Sequence, residues 1–242
     1  MAYLEYNGMQ IEYQIIKSKR KTISIRVGKE GVFVHAPQRL SNIKIAKLLE
    51  TKTEWIAKKL EEIQKVKDAT PRVDYRDGGF LTYRGKEITL KLVMADERMQ
   101  QKNLAKAYLE QNCLVLETGN QSLEAIKQLL EQWYRMQAKK RIEERVHYYT
   151  HRYDFGKQVN RIVIKDQKSR WGSCSNKCNL NFNFRLILAP DEILDYVVVH
   201  ELCHLLHMNH SAEFWRAVER IRPNYEAERD WLRQNGSLLS LD

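Results

Sequence analysis

Residues 200–211 read HELCHLLHMNHS, four histidines and one glutamate in twelve positions, directly after the apolar run Tyr196-Val-Val-Val199. Within it, HELCH fits the pattern HExxH. On an α-helix, residues four apart differ by only about 40° around the axis, so His200 and His204 face the same way, one turn apart. Two imidazoles so placed can each give a nitrogen to one Zn²⁺ at about 2.0–2.1 Å. Glu201 is too close in sequence to His200 to be a good ligand beside it. It suits a general base that holds and deprotonates an attacking water. Burying such groups among Leu202, Leu205 and Leu206 is costly unless they are paired or bind a metal.

A catalytic zinc needs a third protein ligand and one open position. His210 and His207 compete for that role. His210 is favoured by the spacing HExxHxxxxxH, with Asn209 able to end the helix in a left-handed conformation. Metzincins share that spacing but carry Gly where His207 stands, and no methionine follows position 208, so that group is set aside. Glu213 is an alternative that would orient a ligand or complete the site, though a first-turn acid is also favoured by the helix dipole. Cys174 and Cys178 have a spacing compatible with zinc but lack paired CxxC motifs. Cys203 reads as a small buried apolar residue. Arg170, His207 and Tyr225 are candidate donors to an oxyanion.

The elements that must hold these residues follow from periodicity. Ala189-Pro190-Asp191 opens the motif helix, and Ser211 caps a second helix carrying Phe214, Trp215, Val218 and Ile221, stopped by Pro223. A long helix spans 122–153, with Leu123, Ile126, Leu129, Leu130, Trp133, Met136 and Ile142 on one side and many Lys and Arg on the other. RIVIK (161–165) and LNFNFRLIL (180–188) read as strands flanking the loop DQKSRWGSCSNKC. Upstream, Asn7-Gly8 signals a hairpin. TISIRVG and VFVHAP read as strands around a KEG turn. Ser41 caps a helix reaching about residue 66. The polar segment KVKDATPRVDYRDGG reads as a linker; FLTYRGKEITLKLVMA reads as another hairpin, and LAKAYLEQNCLVLETGNQ adds one or two more strands. The fold class is therefore α+β, with a β-rich part at 1–120 and a catalytic part at 121–242.

The 242 residues allow one large domain or two small ones. Four cysteines are too few for a disulfide scaffold, and the first residues lack the pattern of a signal peptide. No apolar stretch is long enough to span a bilayer, so no membrane role is expected. These features point to a cytoplasmic protein. The net charge of +10 permits a nucleic-acid partner, although the cations are spread along the chain rather than clustered. Oligomeric state is open.

The segments RWGSCSNKCNLNFNFRLILAP and VVHELCHLLHMNHSAEFW together resemble the YgjP-like metal-dependent hydrolases, relatives of the SprT-like and WLM zinc proteases. The upstream hairpins with HAP and the helix with TEWIAKKL are similar more loosely. The resemblance implies a zincin-like core: a small sheet, a long helix and the HExxH helix. It implies one zinc per chain held by His200, His204 and His210, with Glu201 as catalytic base. It further implies that strands around WGSC lie over the cleft, where an edge strand would pair with an extended peptide and Trp171, Gly172 and Ser173 would shape the rim. The implied activity is zinc-dependent peptide hydrolysis. The alternative is a nucleic-acid-associated protease or DNA-binding module using the basic surface.

Overall fold

The computed structural model describes residues 2–28, 30–69, 73–102, 104–167 and 169–241, with backbone alone for Ala2 and 66–69. Residues 70–72 of the expected linker, Lys29 of the KEG turn and Lys168 of the loop before WGSC lie outside the described residues. The chain forms two units, Met1–Pro71 and Arg72–Asp242.

In the first unit, β1 (Ala2–Tyr6) and β2 (Met9–Ser18) form the expected hairpin. Its turn residues Asn7 (φ 49°) and Gly8 (φ 78°) are both left-handed, as a tight two-residue hairpin requires. β3 (Ser24–Gly28) and β4 (Gly31–Pro37) complete a sheet of order β1-β2-β4-β3, in which β2 and β4 run parallel. α1 (Asn42–Glu50) is capped by the Ser41 side chain, and α2 (Thr53–Ala69) follows. Ile45, Leu49 and Ile56 pack with Ile11, Val32 and Val34 into one core.

The second unit begins with β5 (Phe80–Tyr83) and β6 (Lys86–Met94), then α3 (Glu97–Gln101), β7 (Ala105–Glu110) and β8 (Cys113–Thr118), in sheet order β5-β6-β8-β7. α4 (Leu123–Arg152), capped by Ser122, carries the buried stripe Ile126, Leu130, Trp133, Tyr134, Ala138, Ile142, Val146 and Tyr149. Its three- and four-residue spacing is that of one helix face. Leu123 and Met136, expected on that stripe, are exposed.

A boundary at residue 120 was expected. Instead, residue 120 lies inside this unit, because the β5–β8 sheet and α4 share one core. Leu81, Leu90, Leu114 and Leu116 cluster with Ile126, Leu130 and Tyr134, and the Tyr134 hydroxyl donates to the Thr82 carbonyl at 2.8 Å.

β9 (Arg161–Lys165), β10 (Gly172–Cys174) and β11 (Asn179–Asn183) form a small sheet of order β10-β11-β9, leaving β10 at an edge. The expected strand 180–188 stops at Asn183, and Phe184–Leu188 is a 3₁₀ helix. Asn183 makes the break: its side-chain oxygen accepts from the Arg185 N–H at 3.1 Å and its amide donates to the Gln167 carbonyl at 2.8 Å.

α5 (Asp191–Cys203), α6 (Ala212–Ile221) and α7 (Tyr225–Asn235) complete the unit. The β5–β6 turn docks at the start of α5: Arg84 N–H and Gly85 N–H donate to the carbonyls of Ile187 and Leu188. A Cβ on Gly85 would stand 2.7 Å from the Pro190 ring. No described helix is long and apolar enough to cross a membrane.

Candidate metal centre

α5 is buried along nearly its whole length, and His200 lies in its last turn. The expected helix end at Asn209 is not where the chain turns; Asn209 is not left-handed, and the helix closes at Cys203. Leu205 N–H donates to Leu202 O, and the N–H groups of Leu206 and His207 both donate to Cys203 O, tightening the chain out of the helical path. A continued helix would carry His210 about 15 Å along the axis from His200. The turn brings it back, so that the Nε2 atoms of His210 and His200 are 3.0 Å apart.

One ring nitrogen from each of His200, His204 and His210 lies within 4.8 Å of the others, the only such group of three metal-competent side chains among the described residues. The His204 ring is fixed by Nδ1, 3.0 Å from the His207 carbonyl. With that nitrogen donating, Nε2 keeps its lone pair for a metal. Phe214 stacks on His204 at 4.5 Å and meets His200 edge-on at 4.9 Å, while Trp215 stacks on His210 at 5.6 Å. Ser211 caps α6 through the Phe214 N–H, which fixes where both aromatics fall.

Burial first, and then the neighbouring His204 and His210, push the His200 pKa down to about 3. Burial also lowers that of His204, against an opposing pull from the His207 carbonyl. Both rings are thus neutral near pH 7, the form that ligates metals. Burial raises the Glu201 carboxyl to about 8. The Glu201 Oε2 and the His200 Nδ1 are buried without a hydrogen-bond partner. Buried polar atoms left unpaired are costly. Three imidazoles with a carboxyl group beside them suit a divalent transition metal. The donor set therefore fits a metal ion.

The model of the YgjP-like metallopeptidase domain matches residues 21–235. The chain belongs to the YgjP-like metallopeptidase family. As a member, it is a metal-dependent peptidase, and its substrates are peptides or proteins. No curated protein matches it. Among solved structures, it is similar to the crystal structure of the metallopeptidase zymogen of Pyrococcus abyssi abylysin. That match has 23% identity over 37% of this chain and 89% of the other, with a TM-score of 0.34.

Within this family member, His207 contributes its carbonyl rather than its ring to the triad. The Glu213 carboxylate lies on the first turn of α6 and pairs with Arg216 at 2.9 Å. Its pKa is held low chiefly by its own backbone N–H and by Ser211. Cys203 is fully buried, as expected; Cys174 and Cys178 are half-buried.

Gly172 lies against the Glu201 carboxylate: a Cβ there would be 2.5 Å from Oε1. Ser173 accepts from the Asn181 amide at 3.2 Å, and Trp171 packs over Gly236. Tyr225 stacks on Trp215 at 5.3 Å, and Arg170 is exposed. Sequence reasoning missed the His207 carbonyl and the approach of Gly172 to Glu201. A glycine beside a tryptophan inside a strand was the available sign of a close backbone approach.

Proposed function

We propose that the family's metal is zinc, held by His200, His204 and His210, and that Glu201 is the general base in hydrolysis of peptide bonds. The cluster of three imidazoles, next in sequence to the buried, partnerless carboxyl of Glu201, carries this reading. A metal held there would supply Lewis acidity and would lower the pKa of water toward about 7. Glu201 then takes a proton from the attacking water and passes it to the leaving amine. Its burial between α5 and β10 fixes the carboxylate in one position and excludes bulk water. The free edge of β10 gives a peptide main-chain hydrogen bonds without demanding a sequence, with Trp171, Gly172 and Ser173 along the rim.

Metal per chain, measured on protein purified without added zinc, tests the ligand set. About one zinc is expected in wild type and in His207→Ala, whose main-chain carbonyl survives the substitution, with loss in His210→Ala. Glu201→Gln is expected to keep the zinc and lose turnover. Zinc retained in His210→Ala, or full activity in Glu201→Gln, defeats the assignment. A nucleic-acid role rests on net charge alone. On α4, Arg135, Arg141 and Arg145 are already paired with Glu131, Asp191 and Asp195. Salt-independent or absent DNA binding disposes of that alternative.

A further inference from the structure

Next to His204 is a small hollow of about 160 Å³, bounded by Leu205 and Met208 after α5, by Cys174 and Cys178 on the β10–β11 hairpin, and by Lys157. Its place along β10 gives it meaning. Gly172 touches the Glu201 carboxylate, which marks the reacting centre in the reading above. Cys174 is two residues further on the same strand, so about 6.8 Å away and on the same face. A peptide paired to the free edge of β10, with its cleaved bond opposite Gly172, brings a side chain within two residues of that bond to the hollow.

The walls specify the guest. Two thiols, a thioether and a leucine make the soft, apolar part of the lining, and Ser175, Asn176 and His204 complete it. No carboxylate lines it, and Lys157, Asn176 and Met208 are its exposed members. In another protein, an engineered apolar cavity of about 150 Å³ holds a benzene. A hollow of this size therefore takes a leucine or methionine side chain and has no room for an indole.

We propose that this hollow is a specificity pocket of the peptidase, selecting a leucine- or methionine-sized apolar side chain within two residues of the cleaved bond. The proposal rests on the peptidase reading of the histidine centre.

The test uses the full zinc-loaded chain and quenched fluorescent peptides varied one position at a time over two residues on each side of the bond. At one position, kcat/KM is expected to fall at least about tenfold from leucine to alanine. Cys174→Leu shrinks the hollow and is expected to reverse that order. Met208→Ala enlarges it and is expected to admit phenylalanine or tryptophan. Opposite shifts from the two variants cannot come from a general loss of folding. A flat profile at all four positions, an acidic preference, or variants that leave the profile unchanged overturns the proposal.

If no peptide is cleaved, the peptidase reading itself fails, and binding still decides the pocket. N-acetyl-leucine hydroxamate is expected to bind wild type at least about tenfold more tightly than the glycine compound, with the difference lost in Cys174→Leu. Equal binding of the two by wild type overturns it.

Discussion

Gly172→Ala isolates the contact that holds Glu201 in place. The added Cβ would stand 2.5 Å from Oε1, 2.7 Å from Cγ and 2.8 Å from Cδ of Glu201. Gly172 has no left-handed backbone, so the clash is the whole effect. Opening the contact to about 3.4 Å moves the carboxylate by about 0.9 Å. A misplacement near 1 Å costs about a hundredfold in rate, and overpacking a full site costs about 1–3 kcal/mol of stability.

Stability can be read without any substrate, by urea unfolding in chelator so that metal release does not distort the transition. In Glu201→Ala the atoms that meet the new Cβ are gone. Gly172→Ala should therefore cost about 1–3 kcal/mol in the wild-type background and no more than about 0.5 kcal/mol in Glu201→Ala. Equal costs in both backgrounds would refute the reasoning, since the penalty would then arise elsewhere. In the metal-loaded enzyme, Gly172→Ala is expected to keep its metal while kcat falls.

Two further outcomes follow from the charges around α5. Arg145 donates to both oxygens of the buried Asp195, at 2.6 and 2.8 Å, and the Tyr149 hydroxyl adds a third bond at 3.1 Å. Arg145→Met leaves that carboxylate with only the Tyr149 hydroxyl and Arg222 at 3.8 Å, and is expected to cost about 1–3 kcal/mol in denaturant unfolding. Arg145→Met with Asp195→Leu should recover most of it, and a double variant no better than the single one would refute the pairing.

Asp191 gives the pH dependence. Burial acts to raise its pKa, but the Arg84 hydrogen bond and the charges of Arg141 and Arg84 outweigh this and hold it below the ordinary value. A depressed folded pKa means the stabilisation is present above about pH 4 and fades as pH falls through the folded value. The group is about a third exposed, so the effect is screened to less than about 1 kcal/mol. Wild type and Asp191→Asn should differ in unfolding midpoint at pH 6 and converge as pH falls through the folded pKa; a constant gap would exclude the ion pair as its source.

What was legible in the sequence had a local cause. The caps Ser41, Ser122 and Ser211 each bond the amide three residues on, and each follows from residue type alone. HExxH was legible because helical spacing puts two rings on one face. Phe184–Leu188 was misjudged as strand because four of its five residues are buried, and a segment buried on all sides shows no period. The unit boundary at 71 rather than 120 depends on which core the β5–β8 sheet joins. The linker-like segment at 65–79 holds that boundary, but which core the sheet joins is set by long-range packing that puts Leu114 and Ile126 in one cluster. The early end of α5 was hidden for the same reason: it is set by where His210 must return, while Asn209 offered a plausible local stop.

The same helix explains why the histidines stand where they do. α5 is apolar on most of its surface, with Ile193, Leu194, Val197, Val198, Val199 and Leu202 all buried, and its inner acid Asp195 is held by Arg145. Two more acids, Asp191 and Glu192, lie in the first turn, where the positive end of the helix dipole favours them. The last turn carries the opposite partial charge, about half a unit. His200, kept neutral by burial, adds nothing to cancel it, and the Oε2 of Glu201 has no partner. A divalent cation held by the proposed ligands would complete that end of α5, which ties the affinity of the site to the burial of the helix as well as to the identity of its ligands.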